Sequence, residues 1–250
     1  MAKPTVLFMH GSWHTPAHFA PVRAVFENAG YPTSCPRQPS TRGLATVGLA
    51  EDAERITSEL VTLIEGEEKD VIVVAHSYGG VVATQAVRKR FARQEREKEG
   101  EKGGVLRIVY MCAFLLQDGE NLMGAFGIGE GDALPPFIVV DDRKMCTMAD
   151  PAARFYSDLS LQEQQKWVGL LVPNAAHTQA TPITHAAYLY HPVTYLFCEK
   201  DEALPLEVQE QMVEKVRALG VKVVEERCAA GHSPYLSMPE TVLDVIERME

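Results

Sequence analysis

Three residues far apart in this chain have the types and settings needed for acyl transfer: Ser77, Asp201 and His232. The stretch Val71-Ile72-Val73-Val74-Ala75-His76-Ser77-Tyr78-Gly79-Gly80 puts Ser77 between four β-branched residues and a helix-compatible run at 81–91. A serine on a sharp strand-to-helix turn is a nucleophile elbow, and the strain of that turn demands small residues two positions before and after it. Here those residues are Ala75 and Gly79, so the motif is A-x-S-x-G rather than G-x-S-x-G. Taken alone, Ser77 would serve equally well as the cap of a helix beginning near Gly79. A nucleophilic serine also needs a base, an acid to orient that base, and two backbone amides for the oxyanion. His232, in Cys228-Ala229-Ala230-Gly231-His232-Ser233-Pro234, lies on a loop constrained by Gly231 and Pro234 and can be the base, although a loop histidine can also be merely superficial. Asp201, in Glu199-Lys200-Asp201-Glu202-Ala203-Leu204-Pro205, can orient it, in competition with Glu199, Glu202 and Asp118.

The other histidines fit supporting roles. His10 braces the loop after the first strand, and His76 packs beneath the sheet edge because successive side chains at a strand's end point opposite ways. His14, His18, His177, His185 and His191 have no metal-ligand spacing, and the H-x-x-x-H of His14 and His18 reads as loop and helix start. The chain has no G-x-G-x-x-G, no Walker loop and no cofactor lysine, so neither a cofactor nor a metal is expected.

Groups this distant in sequence meet only if strands deliver them to one edge. Residues 4–9 read as a strand leading into His10-Gly11-Ser12-Trp13-His14, and 19–28 as an amphipathic helix closed by Gly30. A second strand at 31–35, a helix at 49–64, the elbow strand and its helix follow. The mixed charges at 93–104 read as a solvated helix end and loop. Further strands at 105–114, 193–198 and 221–225 are joined and followed by helices at 205–219 and 239–249. Six strands alternating with helices predict an α/β fold, a doubly wound, mostly parallel six-stranded sheet. The interval 115–190, with Gly/Pro loops at 124–136 and helical pieces at 150–155 and 161–171, shows no strand alternation. It is expected to be a mainly helical cap inserted over the sheet's carboxyl edge, where such folds bind ligands. The core would then be 1–114 and 191–250, the whole forming a single domain.

With 250 residues and 46% hydrophobic content, the chain can bury a sizeable core. A net charge of −10 argues against nucleic acid or an anionic membrane as the main partner. No secretory signal and no apolar run of membrane-spanning length is expected. The five scattered cysteines, without a C-x-x-C pair, read as reduced thiols of a cytoplasmic protein.

On the loop His10-Gly11-Ser12, the elbow at Ser77, the aspartate of E-K-D-E-A-L-P and the G-H-S-P near the end, the chain resembles the α/β-hydrolase family. More narrowly it resembles the small plant-esterase and hydroxynitrile-lyase branch, over nearly its whole length. The resemblance implies Ser77 as nucleophile, His232 as general base and acid, Asp201 as the orienting carboxylate, and the backbone N–H groups of Ser12 and Tyr78 as the oxyanion hole. A dehalogenase would need an aspartate at position 77. The hydroxynitrile-lyase branch carries a threonine directly after its first histidine and a lysine directly after its catalytic one, where this chain has Gly11 and Ser233. That departure favours ester cleavage, with a small-molecule ester as the partner and a monomer or homodimer as the working form.

Substrate choice would lie with the apolar residues of the cap, among them Leu122, Met123, Phe126, Phe137, Met145, Met148, Phe155, Trp167 and Leu171. Trp13, Met123, Phe126, Phe155 and Trp167 are the candidate pocket residues, although many of these side chains would equally form a small core of the cap itself. Two further readings fit the same triad: a lyase or isomerase of natural-product metabolism that uses His232 as a base, and a catalytically weak ligand receptor.

Overall fold

The computed structural model of the chain describes residues 3–129 and 131–249; residues 1, 2, 130 and 250, which the expected core and cap include, lie outside them. In chain order the elements are β1 (Thr5–Met9), α1 (Ala20–Asn28), β2 (Thr33–Ser34), α2 (Leu49–Leu60), β3 (Asp70–His76), α3 (Gly79–Ala86), α4 (Arg93–Lys98) and β4 (Gly104–Met111). An inserted segment follows, with α5 (Leu122–Ala125), β5 (Ile138–Val140), β6 (Met145–Met148), α6 (Pro151–Phe155), α7 (Leu161–Val168) and β7 (Asn174–Ala175). The chain then returns through β8 (Val193–Cys198), α8 (Leu206–Arg217), β9 (Val223–Cys228), α9 (Pro234–Ser237) and α10 (Pro239–Glu247).

The β-branched runs become a six-stranded sheet in the order β2-β1-β3-β4-β8-β9, with every neighbouring pair parallel. Both faces are covered, which is why β3 is a continuous apolar run rather than an alternating one. Val71, Val73 and Ala75 pack against Ile56 and Leu60 of α2, Val81 of α3 and Val216 of α8. Ile72 and Val74 point the other way, toward Val22 and Phe26 of α1 and Ile246 of α10. The strand order reverses between β1 and β3. The loops leaving their carboxyl ends therefore open a crevice there, at the switch point where such sheets bind ligands.

Several boundaries differ from the sequence expectation. The strand expected at 31–35 shortens to the two residues of β2, since Pro32 and Pro36 have no N–H to give a ladder. The last strand lies two residues further on, and its burial alternates at Val224, Glu225, Glu226 and Arg227, as suits an edge. The helix after Ser77 stops at Ala86, and Arg88 is already extended. The charged stretch is a helix and loop as expected, tied together by Arg96 Nε donating to the Gly103 carbonyl at 3.0 Å.

The inserted segment holds helices as expected and also a three-stranded antiparallel sheet, in the order β5-β6-β7, that the sequence reading did not anticipate. Its strands are two to four residues long, too short for alternation to register. No helix among the described residues is long and apolar enough to cross a membrane.

Candidate active site

The elbow exists because the turn after β3 is forced against two other chain segments. Ser77 has φ 53°, in the left-handed region that a residue with a Cβ enters only at a cost. A Cβ on Gly79 would lie 2.4 Å from the Met9 carbonyl oxygen, and one on Gly80 2.4 Å from that of Phe114. Both contacts are with backbone, which cannot swing aside. Gly80 lies outside the A-x-S-x-G motif, yet it is held as tightly as Gly79. Gly79→Ala should therefore destabilise the fold by about 1–3 kcal/mol, as overpacking does. The urea midpoint reports the change, and a midpoint equal to wild type would show that the turn can yield.

Asp201 and His232 arrive from the loops after β8 and β9. His232 Nδ1 donates to Asp201 Oδ2 at 2.7 Å, and both residues are buried. The other carboxylate oxygen, Oδ1, accepts the backbone N–H groups of Ala203 and Leu204, each at 2.8 Å. With three donors on it, Asp201 is the carboxylate that meets His232; Glu199 and Glu202 are both exposed. The carbonyl of His232 accepts His76 Nε2–H at 2.7 Å and the Cys112 thiol at 3.4 Å. His76 thus does pack below the edge, as expected, and also fixes the backbone of His232. A third tie comes from the inserted segment, where Asp158 Oδ2 accepts the Gly231 N–H at 2.7 Å.

The loop after β1 is pressed onto the elbow. A Cβ on Gly11 would come 2.9 Å from Ser77 Cβ, so only glycine lets this loop sit so close. His10 braces it from behind: its Nδ1–H donates to the Gly11 carbonyl at 3.0 Å, and its Nε2 accepts the Gln38 N–H at 3.1 Å. Burial pulls the His10 pKa down to about 4, and burial likewise holds His14 and His76 well below the ordinary histidine value, so all three are neutral donors and acceptors. His14 Nδ1–H donates to the Ser12 carbonyl at 2.7 Å, while its Nε2 accepts from Tyr156 at 3.0 Å. Trp13 has φ 63° and Cys112 φ 36°, so strained backbone gathers around Ser77.

Ser12, Trp13, Ser77 and His232 line one narrow cavity. Met123, Phe126 and Phe155 line it too, and Phe114, Phe137 and Leu204 add apolar wall. Trp167 stands outside that lining: it is buried in an apolar cluster with Tyr156 and with the cavity residues Trp13 and Phe155, and its carbonyl accepts His18 Nε2–H at 3.2 Å. Its packing is that of a core residue, one of the two places open to it from sequence.

A buried polar chain that the sequence reading missed runs beneath the cavity. Tyr78 O–H donates to Asp52 Oδ2 at 2.9 Å, and Asp52 Oδ1 accepts the Ser40 N–H at 2.8 Å. Ser40 Oγ donates to Asn174 at 3.2 Å, Asn174 Nδ2 to Thr178 at 2.7 Å, and Gln179 Nε2 to Thr178 at 3.2 Å and to Ser12 Oγ at 3.3 Å. The chain thereby joins the residue after Ser77 to the loop after β1. Burial raises the Asp52 pKa against the hydrogen bonds that lower it. Its sequence signal is a carboxylate set within the apolar stripe of Leu49, Ala53, Ile56 and Leu60; Gln38, Asn174 and Gln179 carry no such mark.

His76, Cys112 and His232 also place one nitrogen or sulfur atom each within 4.8 Å of one another. Two of the three are engaged elsewhere: His232 Nδ1 by Asp201, and the thiol of Cys112, which burial pushes up to about 12, by a carbonyl. A metal bound by Cys112 would have to ionise that thiol.

The model of the alpha/beta hydrolase family matches residues 6–245 of the chain. "Probable hydrolase R7" of Phoma sp. is 33% identical over 254 residues, covering 100% of this chain and 99% of that protein. "Methylesterase 10" of Arabidopsis thaliana is 25% identical over 213 residues, covering 78% and 71% of the two chains, in line with the plant-esterase-like branch. Among solved structures, a pyrethroid hydrolase from Sphingobium faniae JZ-2 superposes with a TM-score of 0.75 at 20% identity, covering 98% of this chain and 96% of that one.

Proposed function

Since the chain belongs to the alpha/beta hydrolase family, we propose that it is a serine hydrolase cleaving a carboxylic ester or lactone of a small to medium hydrophobic molecule through an acyl-enzyme. The observation that carries this reading is the buried contact between His232 and Asp201, with His232 lining the same cavity as a Ser77 held on a strained turn. The family relatives named a probable hydrolase and a methylesterase point the same way.

In this mechanism Ser77 Oγ attacks the ester carbonyl carbon while His232 Nε2 takes its proton, and Asp201 stabilises the imidazolium that forms. The negative oxygen of the tetrahedral intermediate is received by the backbone N–H groups of Ser12 and Tyr78. The tight approach of Gly11 to Ser77 favours Ser12, and the position of Tyr78 at the head of α3 favours Tyr78. The alcohol leaves with the proton from His232, and water repeats the cycle against the acyl-enzyme. Residues 115–190 serve as the cap that selects the acyl group, over a core of 1–114 and 191–250. The five free thiols fit a cytoplasmic setting.

The purified protein is expected to hydrolyse p-nitrophenyl acetate and butyrate faster than the octanoate, whose chain overfills so narrow a cavity. A fluorophosphonate should label Ser77, found by mass spectrometry of the peptide. Absence of both turnover and label would sink the esterase reading in favour of a lyase or a receptor.

A further inference from the structure

Gln179 is 1% exposed and lines the cavity beside Ser12, Ser77 and His232. Its neighbours fix which way its amide points. Thr178 Oγ1 spends its hydrogen on the Ala175 carbonyl, at 2.7 Å, and already accepts from Asn174 Nδ2 at 2.7 Å. Toward Gln179 it can only accept, so the amide nitrogen faces Thr178 and Ser12. Gln179 Oε1 is then left buried with no hydrogen-bond partner.

A buried acceptor without a donor is unfavourable, and native proteins keep few of them. Most of the remaining wall offers it nothing: Phe114, Leu122, Met123, Phe126 and Phe155 are apolar. We infer that Gln179 Oε1 accepts a hydrogen bond from a hydroxyl or N–H group carried on the acyl part of the substrate. The preferred class is therefore a hydrophobic ester or lactone bearing one hydrogen-bond donor near its carbonyl, rather than a plain hydrocarbon ester. This inference rests on the ester-cleaving reading of the site. A site built around an unpaired acceptor discriminates strongly, because the analogue without the donor leaves the acceptor unsatisfied in the complex.

Binding to the Ser77→Ala protein tests this without requiring turnover. Titration calorimetry would compare methyl mandelate and methyl 3-hydroxy-3-phenylpropanoate with methyl phenylacetate and methyl 3-phenylpropanoate. At least one hydroxy ester should bind roughly tenfold or more tightly than its deoxy partner, and adding Gln179→Met should collapse that ratio toward one. Equal affinity within both pairs, no binding of either hydroxy ester, or a preference that survives Gln179→Met overturns the inference. Should Gln179→Met fail to fold, the methyl ether of the preferred hydroxy ester decides instead, since it keeps an oxygen but has no donor. An ether that binds no better than the deoxy ester supports the assignment, and one that binds as well as the hydroxy ester overturns it. Failure of the ester-cleaving reading shows separately, as absent turnover of the p-nitrophenyl esters beside an intact binding preference.

Discussion

Ser77→Ala should lower kcat for p-nitrophenyl butyrate by about 10⁴–10⁶-fold, the loss found when the nucleophile of a cooperating triad is removed. The size follows from the mechanism: without Oγ no acyl-enzyme forms, and His232 and the amides are left to assist water alone. KM should move little, because the cavity walls that hold the acyl group, such as Met123 and Phe126, are untouched. The substitution also isolates chemistry from folding. Serine and alanine both carry a Cβ, so the strain at φ 53° is common to the two and the melting temperature should be retained. Steady-state kinetics on enzyme purified away from host esterases measures the loss, and residual activity above about one part in a hundred would rule out Ser77 as the nucleophile.

Asp201→Asn should cost about 10⁴-fold in kcat, although it removes only a charge and changes almost no volume. The cause lies in the two backbone donors. The N–H groups of Ala203 and Leu204 converge on Oδ1, so the asparagine amide must offer them its oxygen and turn its NH₂ toward His232. His232 Nδ1 would then have to accept, and its proton would move to Nε2, the atom that must be free to take the Ser77 proton. The residue would stay folded in place with the wrong tautomer. kcat measured beside the melting temperature separates this from unfolding, and a loss under tenfold would mean that His232 is oriented by something other than Asp201.

The strand-to-helix turn at Ser77 and the two loops carrying Asp201 and His232 were legible because each needs particular residue types next to a strand. An apolar run says where the strand stops, and a glycine or proline beside the polar residue says that the loop is constrained. The supports were not legible. Asp158 grips the loop of His232 from 73 residues away in sequence, and Gln179 reaches Ser12 across 167; such pairings are set by how the inserted segment folds back, which no local pattern encodes. The same limit explains Trp167. Its size and apolarity announced burial, but whether it faced the cavity or the segment's own core depended on the short strands that position it. His76 was placed correctly by alternation, while its bond to the His232 carbonyl was not, since alternation gives a direction and not a partner.

The two ends of the large sheet bear on how copies of this chain meet. One end is β2, a two-residue strand between prolines; the other is β9, where Glu225, Glu226 and Arg227 interrupt the apolar pattern and form ion pairs with Arg217, Arg248 and Glu210. A strand from a second molecule seeking to extend the sheet would find too few backbone groups at the first end and fixed charges at the second. The strands buried at every position, β1 and β8, lie in the interior of the order. The large sheet is therefore guarded against edge-to-edge extension at both margins, whereas the small sheet ends in β5, whose Val139 and Val140 are exposed.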